Sequence, residues 1–424
     1  MIYQSYLLQI VPQTDLIIGT KEGWGNEQTT LDHIPGRVLR GAIGERIFRQ
    51  NAALHDRIFD GQNEPIFGHA YPGQKGPIFP LPLTARTCKR FSGFWQEENR
   101  TRRQEAQHGI TDHLIADFVY ELVSDPQFPQ RSEIAPELGR SWSEKGWFPA
   151  NRSHQYCEIC DDEDMTPIDR GGYYAWQNGI TPIRDSFAVG RTTHSGINRA
   201  RGVSEDRVLF SEEHLASPDQ GSGWYFFGWL HIPQHKVSDL EPYLNDIYAI
   251  GRGRSRGLGQ IQISTSAQPR NYPDLSRRVK DFNAYIRLAI RHYQKHEPRL
   301  PAQIGGQFFS LTLNGPAVLN DAGHIHRTPS TQMLGLPEGT RLIRSWARMS
   351  DVGGWDNGAG LPRPTNLAVT TGAVYLYYAP ESANITELWE TLGRLEIEGI
   401  GTHRELGYGQ LTVCAPIHAY QQRY

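Results

Sequence analysis

The sequence predicts an α+β protein built of two similar units in tandem, and three observations predict it. First, the stretch IGRGRSRGLGQIQI (250–263) recurs as IGTHRELGYGQLTV (400–413), ungapped, with six identities in 14 positions. Glycines 251, 257 and 259 fall on 401, 407 and 409, a fixed spacing that marks an internal repeat. Second, a helical pattern precedes each copy. Leu240, Leu244, Ile247 and Tyr248 share one face behind Ser238 or Asp239 as N-cap; Ile385, Leu388, Leu392 and Leu395 share one behind Asn384. Third, strand-like runs open each half, at 3–11 and 16–20 and again at 307–319, and later runs stand at 224–232 and 372–379. Each half reads β…β-α-loop-β, the outline of a ferredoxin-like (RRM-like) sandwich.

The remaining elements follow from length and composition. A chain of 424 residues exceeds one ordinary core. Its 43 glycines and 27 prolines imply many turns and exclude a helical bundle. The expected domains are 1–270, with a loop-rich, core-poor insertion over about 60–175, then a helical linker over 271–303, then 304–424. Arg277, Arg278, Lys280, Arg287 and Arg291 give the linker a basic side, read as a solvated face. A net charge of −3 excludes a uniformly basic nucleic-acid binder. Arginine nevertheless supplies 36 of the 43 basic residues, and its planar fork suits phosphate and base edges. Four cysteines are too few for a disulfide scaffold. The first residues lack a signal-peptide pattern and no apolar run approaches about 18 residues, so a cytoplasmic protein without a membrane partner is expected.

The glycine stretches are not nucleotide loops. A dinucleotide fingerprint needs a strand before the glycines and a helix after; here the order is reversed. A Walker loop needs Gly-Lys-Ser/Thr, which is absent.

Four other segments carry a family resemblance. HIPGRVLRGAIGERIF (33–48) is similar to the IPG-x-x-LRGA helix start of the RAMP superfamily of CRISPR–Cas subunits. RTTHSGINRARGVSEDRVLFSEEHL (191–215) is similar to their GINR…LF hairpin, and the glycine loop and GGWDNGAGLPRPTNLAVTTGAVYLY (353–377) also match. With PLPLTARTCKRF (80–91) and YCEIC (156–160), the order resembles the large two-domain RAMP subunit of type III-D effector complexes. The resemblance implies two tandem ferredoxin-like RAMP domains and a non-catalytic role in antiviral defence. It implies binding of CRISPR RNA, at its 5′ repeat-derived handle or backbone, beside other RAMP and large subunits, with target RNA a further ligand.

The residues themselves suggest how RNA is held. Gly251, Gly253, Gly257 and Gly259 let the backbone approach a ligand and form an anion nest, with Arg252, Arg254 and Arg256 around it. In the second copy His403 and Arg404 take that place, offset by Glu405, and its glycines are expected chiefly to allow tight packing against a neighbouring helix. Pro35 suits the first helical position, whose free N–H groups favour phosphate. Arg37 and Arg40, three apart, share one face, while Val38, Leu39, Ala42 and Ile43 face the sheet. Arg191, Asn198, Arg199 and Arg201 line a hairpin suited to single-stranded RNA.

Cys157 and Cys160 form C-x₂-C, a spacing that lets two thiolates share one tetrahedral metal. Cys88 and His108 complete a Cys₃His structural zinc site that staples the insertion, with His113 and His154 as alternatives to His108. The acids in CDDEDM would raise the thiol pKa, against a redox role. Cys414 lies in an apolar strand and is expected in the core. The alternative function is a ribonuclease, using Asp32 with a divalent metal or His194 as general base.

Overall fold

A computed structural model describes the chain except residues 1, 20–26, 94–107, 125–156, 158–159, 161–163, 169–171, 177–179, 184–186, 199, 202, 218–222, 268–273, 295–304, 357–360 and 420–424. Strand β1 (Tyr3–Pro12) buries Tyr6, Leu8, Ile10 and Pro12 while the residues between them are half-buried, the period-two signature of a strand over a core. The stretch expected as a strand over 16–20 is held only by single bridges at Leu16 and Gly19. Helix α1 (Gly36–Gln50) buries Leu39, Ile43 and Ile47 along one stripe, with Val38 and Ala42 packed beside them. Pro35 is its N-cap rather than its first helical residue; a φ of −63° with a ψ of 145° suits extended backbone just before the helix.

Strand β2 (Ile66–Phe67) follows. The inserted region then supplies β3 (Ala85–Cys88), β4 (Ile110–Asp112), helix α2 (Leu114–Ser124) and β5 (Met165–Pro167); its strands form a sheet in the order β4-β3-β5. A long hairpin, β6 (Val189–Asn198) and β7 (Val203–Leu215), leads to β8 (Tyr225–Pro233), which is buried along almost its whole length. The helix expected over 238–248 is broken. Helix α3 (Val237–Leu240) continues only as a 3₁₀ turn, because Pro242 has no N–H to extend the ladder. Leu240, Leu244 and Ile247 are buried as the pattern requires, but Tyr248 is exposed. Strand β9 (Ile261–Ala267) ends this half.

Helix α4 (Leu275–Gln294) opens the second half, followed by β10 (Gln307–Leu313), the single turn α5 (Thr331–Leu334), β11 (Arg341–Trp346) and β12 (Val374–Ala379). Helix α6 (Ile385–Glu398) begins at Asn384, whose side chain accepts from Glu387 N at 3.3 Å. Leu388, Leu392 and Leu395 are buried, whereas Ile385 lies exposed in the first turn. Strand β13 (Leu411–Val413) completes the sheet.

The two main sheets have one connectivity. The first runs β9-β1-β8-β2 and the second β11-β12-β10-β13, all neighbours antiparallel. In each, the unit's first and third strands are central, and its second and fourth flank them. A helix follows the third strand, then the glycine loop, then the fourth strand. The halves differ in their first helix: α1 is 15 residues long, α5 only four.

What covers the second sheet comes from outside the predicted unit. Val279, Phe282, Ile286 and Ile290 of α4 and Leu114, Phe118 and Leu122 of α2 share one core with Phe309, Leu311 and Leu392. The expected linker helix is thus a core element, and the expected core-poor insertion supplies a core helix. Arg278 departs from the basic solvated face: it is buried and grips both oxygens of Glu396 at 2.8 and 2.7 Å. Among the described residues no helix is long and apolar enough to cross a membrane.

Candidate nucleic-acid interface and metal centre

The repeated loops share a backbone. Gly251, Gly253, Gly257 and Gly259 all have φ between 72° and 84°. Their counterparts Gly401, His403, Gly407 and Gly409 also lie at positive φ, and His403 at 59° takes the left-handed conformation that glycine takes in the first copy. Hydrogen bonds repeat too. Ile250 N donates to Gly259 O and Ile400 N to Gly409 O, both at 2.9 Å. Arg252 N donates to Ile17 O, Gly259 N to Asp15 O; Thr402 N donates to Val318 O, Gly409 N to Pro316 O. Each loop is stitched to the segment that follows its unit's first strand. These N–H groups are engaged with carbonyls, so they contribute no free donors to an anion nest.

The arginines of the first loop are displayed outward, each with a partner. Arg252 reaches Gln28 at 2.7 Å, Arg254 reaches Glu45 on α1 at 2.8 Å, and Arg256 reaches Glu212 on β7 at 2.8 Å. The Arg254 guanidinium holds the Glu45 carboxyl below its usual range. Glu212 also contacts His194 at 3.2 Å, and His194 stacks on Phe210. Arg191, exposed on β6, pairs with Glu27. The loop and hairpin cations expected to meet RNA therefore gather over one surface, interleaved with acids. Arg201 is exposed at the hairpin tip; Arg199 and the Asn198 side chain lie outside the described residues.

The IPG helix start separates its two arginines. Arg40 binds Glu64 at 2.7 Å and lies 4.8 Å above the Phe59 ring. Arg37 reaches the other way, its Nε against Gly354 of the second half. Gly36 has no room for a side chain: a Cβ there would sit 1.8 Å from Phe67 O and 2.7 Å from Leu406 O.

That close approach belongs to a seam in which the second loop closes against the first half. A Cβ on Gly407 would meet Phe67 O at 2.5 Å, and one on Gly315 would meet the His69 ring at 2.8 Å. His69 fills the slot between these glycines, buried among His33, Tyr71 and Tyr408, with neither ring nitrogen hydrogen-bonded. Burial, reinforced by His33 and Arg37, holds its pKa well below the usual histidine value. The Tyr71 hydroxyl donates to Asn314 O across the same seam. His403 and Arg404 stay at the rim, facing Glu405 at 3.6 Å and Glu398 at 3.4 Å. No sequence signal marks His69: it is a single histidine in HAYPG, outside every motif.

Asp32 and His194 occupy different neighbourhoods. Asp32 accepts from Tyr173 at 2.9 Å and contacts His33 Nδ1 at 2.9 Å. Burial pushes the Asp32 carboxyl up, but its bonds to His33 and Tyr173 outweigh this and hold it below the usual range.

The four metal-ligand candidates come together. Cys88 ends β3, His108 leads into β4, and Cys157 and Cys160 precede β5, so three strand ends deliver four ligands. Their donor atoms all lie within 4.8 Å of one another. Cys88 Sγ and Cys160 Sγ are 3.8 Å apart, and His108 Nδ1 lies 3.2 Å from Cys157 Sγ and 3.3 Å from Cys160 Sγ. A sulfur pair on a tetrahedral centre with bonds of about 2.3 Å is about 3.8 Å apart. The same distance is far beyond a disulfide, at about 2.05 Å. Burial and the neighbouring Cys88 and Cys157 thiols push Cys160 up to about 12, the mark of a thiol cluster that needs a cation to ionise. The residues therefore fit a metal ion. Of the alternatives, His113 bonds Thr111 at 2.9 Å and stands apart; His154 lies outside the described residues. Cys414 is buried in the core, where burial raises its thiol to about 12.

No family model matches the chain, and no curated protein matches it significantly. Solved structures do. A chain of the type III-B Cmr-beta complex bound to cognate target RNA and AMPPnP is 12% identical, with 87% of this chain and 86% of that one covered and a TM-score of 0.40. Another Cmr-beta structure bound to cognate target RNA gives 10% identity, 96% of each chain and a TM-score of 0.38. The Csm3–Csm4 subcomplex of the type III-A CRISPR–Cas interference complex gives 12%, 87% of this chain, 92% of that one and a TM-score of 0.33. Every one of these TM-scores lies below 0.5, so the functional reading rests on the chain's own residues.

Proposed function

We propose that this chain is an RNA-binding structural subunit of a type III, III-D-like CRISPR effector ribonucleoprotein that holds the 5′ handle or backbone of the guide. Its domains are two ferredoxin-like RAMP units, 1–270 and 304–424, joined through 271–303 and carrying an inserted zinc-stapled segment. One observation carries the reading: two sheets of identical strand order each end in the same glycine loop, and only the first loop turns its arginines outward. Phosphate contacts need cations on a surface, not a closed pocket. Arg252, Arg254 and Arg256, with Arg191 beside them, supply such a surface. Replacing the three loop arginines by glutamine should weaken guide-RNA binding about equally for all sequences and lower the log–log salt slope by about 2. An unchanged slope makes the loop purely structural.

Zinc is the metal this donor set favours, since three thiolates and an imidazole at tetrahedral spacing are soft and closed. Bound there, it would neutralise the thiolates and tie β3, β4 and β5 at one end. Metal analysis should give about one zinc per chain, and chelation should lower the melting temperature by more than about 5 °C. Less than about half an equivalent with unchanged melting removes the staple.

The hydrogen-bonded Asp32, His33 and Tyr173 favour a second reading, a ribonuclease in which Asp32 orients His33 as base. Denaturing gels of guide and target RNA with Mg²⁺ or EDTA separate the two. Cutting abolished by Asp32→Ala makes the protein an enzyme; intact RNA leaves it a binder.

A further inference from the structure

Helix α4 was expected to be a linker with a solvated basic side, yet its inner face is core and its outer face is a fixed row of charge. The helix cannot roll. Arg278 is clamped to Glu396 from its inner face, and Asn283 both donates to Phe308 O at 2.8 Å and accepts from Phe308 N at 2.9 Å. With Val279, Phe282, Ile286 and Ile290 buried, the exposed residues are Arg277, Lys280, Asp281, Ala284, Arg287, Leu288 and Arg291. Positions 277, 280, 284, 287 and 291 alternate by three and four, so they stand in one line about 21 Å long. Four of the five are cations.

These cations contrast with those of the glycine loop. Lys280, Arg287 and Arg291 have no side-chain partner among the described residues. Arg277 has only the loose, exposed Asp281 at 3.8 Å, and Asp274 is occupied in capping the helix through Arg277 N. Holding the helix in one rotation means that the row loses little freedom on binding an extended polyanion.

We infer that the outer row of α4 (Arg277, Lys280, Arg287 and Arg291) is a second RNA-contacting surface, which grips the phosphate backbone of a single strand without reading sequence. A protein partner would need a larger apolar centre, and the row offers one exposed large apolar residue, Leu288. Phosphates need only charge and reach. The inference rests on the reading that the chain binds RNA but uses none of the residues on which that reading stands.

The test compares two variants of the full chain binding a mixed-sequence single-stranded RNA at several salt concentrations. One variant carries Lys280→Gln, Arg287→Gln and Arg291→Gln; the other carries the three glycine-loop substitutions. For the row variant, the expected result is weaker binding for every sequence and a salt slope lower by about 2, at about 0.7 per phosphate released. The charge-preserving variant Arg287→Lys with Arg291→Lys should keep the wild-type slope, which separates lost charge from lost folding. An unchanged slope in the row variant, with the loop variant weakened, overturns the row and leaves the subunit reading standing. If neither variant changes binding, both fall. If the row variant binds RNA normally but no longer joins a protein subunit in reconstitution, the surface belongs to a protein and the inference is wrong.

Discussion

The two glycine loops have the same backbone and opposite surroundings. A Cβ added at Gly257 would point into open space, while one at the equivalent Gly407 would strike Phe67 O at 2.5 Å and the His69 ring at 3.1 Å. Arg256 of the first loop is exposed; its counterpart Leu406 is buried. The glycines of a repeated unit are thus required by the unit, whatever the loop faces. Function lies in what stands between them: outward arginines in one copy, a seam between halves in the other.

The contrast makes predictions of decreasing size. Gly407→Ala should cost more than about 3 kcal/mol, since it combines positive φ with a backbone collision, whereas Gly257→Ala should cost about 1 kcal/mol for φ alone. Urea unfolding of both variants measures this, and equal losses would break the comparison. Next is the acid sensitivity of the seam. His69 has a folded pKa below its unfolded value, so above about pH 6.5 both states are neutral and it contributes nothing. Below that, the unfolded chain takes up a proton that the folded one refuses, and stability falls by up to about 1.4 kcal/mol per pH unit. Between pH 7.5 and 5.5 wild type should lose about 1 kcal/mol more than His69→Gln; parallel losses would show that the slot does not exclude the charge. Smallest is a change at the first loop. Glu212→Gln should free Arg256 and tighten RNA binding about two- to threefold, read by titration. Weaker binding would mean that Glu212 positions the arginine instead of competing for it.

Much of this was legible in the chain. The repeat carried its own evidence, because four positions at fixed spacing need positive φ and three are glycine in both copies. The metal ligands were legible because C-x₂-C is a rigid local signal, and Cys88 and His108 stand at strand ends that the sheet brings to it. What the sequence hid is tertiary. Nothing in YPDLSRRVKDF marks Arg278 as buried, since its partner Glu396 is 118 residues away. The acids that pair with the loop arginines, Glu45 and Glu212, come from α1 and β7, and a loop read alone appears bare. The helix over 238–248 failed at one residue, Pro242, whose break outweighed a good apolar period.

The central claim is that one loop meets RNA and its copy does not. Ultraviolet crosslinking of guide RNA to the assembled protein, with the crosslinked peptides identified by mass spectrometry, tests it most directly. Crosslinks within 250–260 and none within 400–410 are predicted; crosslinks confined to 400–410, or shared equally by both loops, would contradict it.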